Sequence, residues 1–132
     1  MSRDHRRLRV FGIADALVVD AYRATTEMPA EERFGLGVQI RRAAVSVAAN
    51  IVEGSARSTE REYCRFLEIA HASSRECAYL LGLTARLGLM PAARITPIAE
   101  AYERLAGGIL AVVRGLKSRG LNDGSSDSPG PP

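Results

Sequence analysis

The 132-residue chain is 46% apolar and 25% charged, the balance of an ordinary globular domain with one core, and it is too short for two. No apolar run approaches the roughly 20 residues of a membrane-spanning helix. Behind the basic start SRDHRRLR there is no apolar stretch with a small-residue cleavage site, which excludes a secretory signal and makes a cytoplasmic protein the expectation. Residues 1–119 hold 18 basic and 13 acidic side chains, a net +5, whereas Asp123 and Asp127 lower the whole chain to +3. A basic body attracts phosphate backbones without further specialisation.

Helical periodicity marks four segments, and none reads as a strand. The first runs from about Leu8 to Glu27, with Phe11, Ala14, Val18, Ala21 and Thr25 on one face at steps of three and four. Met28-Pro29 ends it, because the residue before proline avoids the helical region. The second begins between Pro29 and Glu32, where Glu31 and Glu32 favour the positive end of the helix dipole. It continues to Glu53, with Gly54 as the left-handed residue that closes it.

Thr59 followed by Glu62 opens the third segment as a capping box. Tyr63, Phe66, Leu67, Ala70, Ser74, Cys77, Leu80, Leu81, Thr84 and Leu87 form its broad buried face, and Gly88 ends it. Cys64 and Cys77 share this helix, roughly 20 Å apart along the axis, so a disulfide between them is excluded and two reduced thiols are expected. The fourth segment starts at Pro91 or Ala92 and carries Ile95, Ile98, Tyr102, Leu105, Ile109, Val112 and Leu116 as a coiled-coil seam. Gly107-Gly108 interrupts its helical propensity, which implies a close helix approach or a slight bend.

From Gly120 the sequence LNDGSSDSPGPP has too little apolar content to order itself. The expected organisation is therefore a helical domain over 1–119 with a short basic N-terminal arm, then a disordered tail over 120–132. Four long helices joined by short loops bury their stripes by packing as an antiparallel, up-down-up-down four-helix bundle.

The second helix carries an unusual polar stripe. Gln39, Arg42, Ser46, Asn50, Glu53 and Arg57 follow one another at three or four residues and so stack along one face of a helix otherwise built from Ala, Val and Ile. Ser73 and Glu76 on the third helix are placed to face them. Two readings fit: a polar seam that fixes helix register or subunit contact, with each glutamate finding an arginine, or a ligand site. The seam is the reading adopted.

Gln39, Arg42-Ala43-Ala44, Ser46, Asn50-Ile51, Glu53-Gly54, Arg57, Phe66-Leu67, Ala70, Ser73 and Glu76 together resemble the bacterial "four helix bundle protein" family, also called 23S rRNA intervening-sequence proteins. The accessory proteins of diversity-generating retroelements belong to it. Tyr22, Thr25-Thr26 and the Pro29 to Phe34 turn extend the likeness, which covers about residues 8 to 118. The chain departs from the family pattern at Val47-Ala48-Ala49, where many relatives have a proline, and at Ala72, where they have a glycine. The first departure implies a straighter helix and the second a looser helix contact.

The resemblance implies a four-helix protomer that assembles as a homopentameric ring. It does not imply an enzyme. For the retroelement branch it implies binding of nucleic acid and of a polymerase-type protein partner through basic surface.

Arg3, Arg6, Arg7 and Arg9, with His5 among them, form the densest positive charge, and Arg114, Lys117 and Arg119 form a second cluster. In an up-down bundle both lie at the same end, and five-fold repetition makes a basic ring suited to RNA or DNA backbone. The seven aromatic residues read mostly as core, so little base stacking is expected.

Catalysis has no support in the residues. His71 lacks a second His or Cys at metal-ligand spacing, and there is no phosphate loop, HExxH or nucleophile elbow. Glu53 and Glu76 could form a carboxylate pair, but neighbouring arginines would spoil the acid role. No metal or cofactor is expected. The functional expectation is a homopentameric helical protein that binds nucleic acid, and the alternative is a structural or protein-interaction module that does not.

Overall fold

The computed structural model describes residues 3–122, and among them every regular element is helical. A short 3-10 turn, His5–Arg7, precedes α1 (Arg9–Thr26). A single helical turn, α2 (Ala30–Arg33), leads into α3 (Leu36–Ser55). Two longer helices follow, α4 (Glu60–Arg86) and α5 (Ala92–Asn122). The four long helices touch in the cyclic order α1, α3, α4, α5 and back to α1, around one core.

Alanine is prominent in that core. Ala14, Ala21, Ala24, Ala44 and Ala70 are fully buried, which lets helix axes approach closely, while Ile40, Ile51, Leu67, Leu81, Tyr102 and Ile109 fill the volume between them. The face expected for α1 is rotated slightly: Val10 and Leu17 are buried, and Phe11 and Val18 are only half-buried. On α5 the seam holds, with Val113 taking the fully buried position expected of Val112. Leu87, expected in the core, is exposed, because it has become the C-cap of α4.

The second segment is not one helix from Pro29. Phe34 and Gly35 break it, with Gly35 at φ −101°, ψ −104°, a conformation outside the helical region. Gly54 also differs from expectation. It lies inside α3, and a Cβ there would stand 2.9 Å from the Cβ of Phe66 and 3.2 Å from the Tyr63 ring. Its role is close helix packing.

The left-handed cap occurs instead at Gly88, with φ 71°. Its N–H bonds the Ala85 carbonyl at 3.0 Å, and the Leu89 N–H bonds the Thr84 carbonyl at 3.1 Å, the Schellman pattern. Thr59 caps α4 as expected, accepting from the Glu62 N–H at 3.2 Å. In α5 the helix passes through Pro97, whose missing N–H leaves the carbonyl four residues back to the exposed Ala93. Gly108 supplies a close approach, since a Cβ would meet Val10 Cγ1 at 3.3 Å. α5 also runs past Gly120 to Asn122, longer than expected, and the rest of the expected tail lies outside the described residues.

Specific polar contacts fix the packing. The Arg41 guanidinium donates to Thr25 Oγ1 at 2.7 Å and to the Tyr22 carbonyl at 3.3 Å, and it stacks on the Tyr22 ring, joining α3 to the end of α1. Arg94 grips Glu27 through two guanidinium nitrogens at 3.1 and 3.0 Å, a hydrogen bond that holds the Glu27 carboxyl below its usual range. The buried Ser74 hydroxyl donates to the Tyr102 carbonyl at 2.7 Å. Cys64 and Cys77 are both free and buried in α4.

Candidate nucleic-acid interface

Three chain segments meet at one end of the fold. Arg3 is anchored there by its own N–H to the Ser55 carbonyl at 2.8 Å and by its guanidinium to the Arg57 carbonyl at 3.0 Å. The same guanidinium stacks 4.3 Å from the centre of the Tyr63 ring. From α5, Lys117 reaches Glu68 at 3.3 Å and Arg119 reaches Glu60 at 3.9 Å. Burial pushes the Tyr63 phenol up, and Arg3 and Arg119 both pull it back. The arm and the end of α5 therefore face the same first turns of α4.

The charge of this end is distinct from that of the remainder. It holds ten cations, Arg3, Arg6, Arg7, Arg9, Arg57, Arg61, Arg65, Arg114, Lys117 and Arg119, against five anions, Asp4, Glu53, Glu60, Glu62 and Glu68. The other described residues carry eight of each sign. All of the described net charge thus sits at one end.

Several of these cations are already engaged. Asp4 accepts from the Arg6 side chain at 3.0 Å and lies 4.0 Å from Arg7, and the Arg6 hydrogen bond lowers the Asp4 carboxyl below its ordinary value. Asp4 also caps the 3-10 turn through the Arg6 N–H. Arg9, Arg61, Arg65 and Arg114 are exposed, and among the described residues none of them has an acidic partner in ion-pair range. Sequence reading grouped Arg6 and Arg7 with the free cations and passed over Arg61 and Arg65. The presence of Asp4 in the same arm, and the i, i+4 spacing of Arg61 and Arg65, were the available signals.

The polar stripe lies on the outward side of the α3–α4 pair. Gln39, Arg42, Glu53 and Glu76 are exposed, Ser46, Asn50 and Arg57 half-buried, and Ser73 buried. A network buried inside the protomer is therefore confined to a short link. Ser46 and Ser73 share a hydrogen bond of 2.8 Å, and Asn50 donates to Ser46 Oγ at 3.0 Å. Glu53 finds its arginine in Arg57, at 2.6 Å, whereas Glu76 makes no ion pair.

The α3–α4 contacts join Ile40 to Cys77, Ser46 to Ser73 and Gly54 to Phe66. In that register Glu53 and Glu76 stand about three helical turns apart, roughly 17 Å at 1.5 Å per residue, so they do not form a carboxylate pair. Val45 and Val52 on α3 and Ile69 and Tyr79 on α4 are exposed on the same outward side, and Ala72 is exposed with them, away from any close contact a glycine would serve.

Aromatic placement also differs from expectation. Only Tyr63 and Tyr102 are buried; Phe11 and Phe66 are half-buried, and Tyr22, Phe34 and Tyr79 are exposed. Tyr22 and Tyr79 are each covered by an arginine, Arg41 and Arg86. His71 is half-buried, and among the described residues no group of three metal-ligating side chains forms.

The geometry defines a helical protein of four long helices with one basic end and a mixed polar and apolar flank. The family model of the 23S rRNA-intervening sequence protein matches residues 6–110, and the chain belongs to that family. A crystal structure of a protein of unknown function from the S23 ribosomal protein family of Bacteroides thetaiotaomicron is similar, with a TM-score of 0.74 and 19% identity. The match covers 79% of this chain and 97% of that one, and it shows the shared fold. No curated protein is significantly similar in sequence. No helix among the described residues is long and apolar enough to cross a membrane.

Proposed function

We propose that the chain is a non-enzymatic cytoplasmic protein that self-associates and holds nucleic acid by its phosphate backbone at the basic end. The observation that carries this reading is the charge partition, ten cations to five anions at one end against eight of each elsewhere. Phosphate contacts add in affinity because each releases condensed counterions. Repetition of the end around a homopentamer, the assembly that the family resemblance implies, would multiply a modest patch into a ring.

An antiparallel, up-down-up-down bundle is part of the proposal. It is supported by the order of the contacts, since Ile40 to Cys77 and Gly54 to Phe66 run oppositely along α3 and α4, as Val10 to Gly108 and Glu27 to Arg94 do along α1 and α5. The flank of Val45, Val52, Ile69 and Tyr79, interleaved with Arg42, Glu53 and Glu76, is the surface proposed for subunit contact. Exposed apolar side chains rimmed by polar ones are what such interfaces use. The non-enzymatic reading rests on the sequence, which has no nucleophile, metal or phosphate-loop motif. A polymerase-type protein is the partner class suggested by the retroelement relatives.

The test is RNA binding by the full chain across a salt series. Affinity for a mixed-sequence RNA that falls steeply with rising salt supports the reading, and absence of binding even at low salt contradicts it. A second reading, an interaction module without nucleic-acid affinity, draws on the pairing of Arg6, Arg7, Lys117 and Arg119 with Asp4, Glu68 and Glu60, which consumes part of the positive field. It expects a defined oligomer that ignores RNA at low salt.

A further inference from the structure

Phe66, at the start of α4, lies beneath two guanidiniums. Arg57 Cζ is 5.4 Å and Arg65 Cζ 5.1 Å from the centre of its ring. A guanidinium laid on a ring is held in plane, with its N–H edge turned outward as a ready fork for phosphate oxygens. One turn before Arg65 stands Arg61, exposed and without an acidic partner among the described residues.

This arrangement works against the stability of the helix that carries it. Arg61 and Arg65 are like charges at i, i+4, which repel, and Arg61 is the second residue of α4, where the helix dipole already disfavours a cation. Only Arg57 has relief, from Glu53. A cationic shelf of this kind gains its compensation when an anion arrives.

Arg3 differs in kind. Its N–H and guanidinium are committed to the Ser55 and Arg57 carbonyls and to the Tyr63 ring, so it ties the arm to the α3–α4 turn.

We propose that Arg57, Arg61 and Arg65 form the principal phosphate-contacting shelf for a nucleic-acid backbone, and that Arg3 acts as a positioning strut for the arm beside it. The inference rests on the nucleic-acid reading above and assigns that reading to residues outside the two terminal clusters. Because guanidiniums cover Phe66 and Tyr63, neither ring is open to a base. Contact at the shelf is to phosphate, and it does not depend on base sequence.

The experiment is fluorescence anisotropy of a labelled 20-nucleotide mixed-sequence RNA across a salt series, with a thermal melt of each protein. For the Arg61→Gln, Arg65→Gln double variant the expected result is an unchanged or raised melting temperature. The salt slope should fall by roughly 1.4 to 1.8, the share of two phosphate contacts. For Arg3→Gln the expected result is a lowered melting temperature, with a slope loss smaller than that of the double variant. A double variant with wild-type slope, alongside an Arg9→Gln, Arg114→Gln protein that has lost binding, overturns the shelf and leaves the nucleic-acid reading intact. Wild-type protein that binds no RNA at low salt overturns both.

Discussion

Gly54 in α3 and Phe66 in α4 approach so closely that a methyl group on Gly54 would lie 2.9 Å from Phe66 Cβ. That atom is fixed to the backbone of α4 and cannot turn aside. Replacing a helix-interior glycine by alanine ordinarily gains up to about 1 kcal/mol, but here the overpacking penalty of about 1–3 kcal/mol decides the sign. Gly54→Ala is expected to lower stability by about 1–2 kcal/mol, while Gly107→Ala, where a Cβ meets nothing within 4 Å, raises it by up to about 1 kcal/mol. Urea denaturation of the two variants tests both signs.

Much of the fold was legible in the sequence because its signals were local. Thr59 with Glu62, Met28-Pro29 and Gly88 mark ends by cap chemistry or by the geometry of proline and glycine, and each acts within a few residues. Gly54 was misread because a helix-ending glycine and a helix-packing glycine look alike until the neighbouring helix is known. The polar stripe was recognised as a stripe, but its outward position depends on which face of α3 meets α4. Arg57 and Arg65 gained meaning only when Phe66 was placed between them.

Alkaline pH should destabilise the protein through Cys77. Burial pushes its thiol up to about 12 from an ordinary 9.0. Between those values the unfolded chain has released a proton that the folded chain retains, so stability falls as pH rises above about 9, at about 1.4 kcal/mol per unit. Burial pushes the Tyr102 phenol up as well, which adds in the same direction above its ordinary 10.0. Denaturation from pH 8 to 11 should show the fall, and Cys77→Ala should make it shallower.

The α4–α5 contact contains one satisfied and one unsatisfied hydroxyl. Ser74 Oγ donates to the Tyr102 carbonyl at 2.7 Å, and Ser74→Ala should cost about 1 kcal/mol. The Tyr102 hydroxyl is buried beside Cys77 with no hydrogen-bond partner. Tyr102→Phe is therefore expected to leave stability unchanged or raise it by up to about 1 kcal/mol, as chemical denaturation will show.

The flank of α3 and α4 is the proposed subunit contact, so charges introduced there should break the assembly without unfolding the chain. Val45 and Ile69 are exposed in the single chain, and Val45→Glu with Ile69→Glu should keep the helical circular dichroism while reducing the mass in solution. Glu53→Ala, which removes the partner of Arg57, should weaken the same assembly. Unchanged mass in all these variants would remove the flank from the interface.

Light-scattering mass in low and in physiological salt, with and without a mixed-sequence RNA, tests the central claim most directly. The expected result is a particle of about five protomers of 14.2 kDa that takes up RNA at low salt and releases it as salt rises. A particle whose mass does not change with RNA in low salt would contradict it.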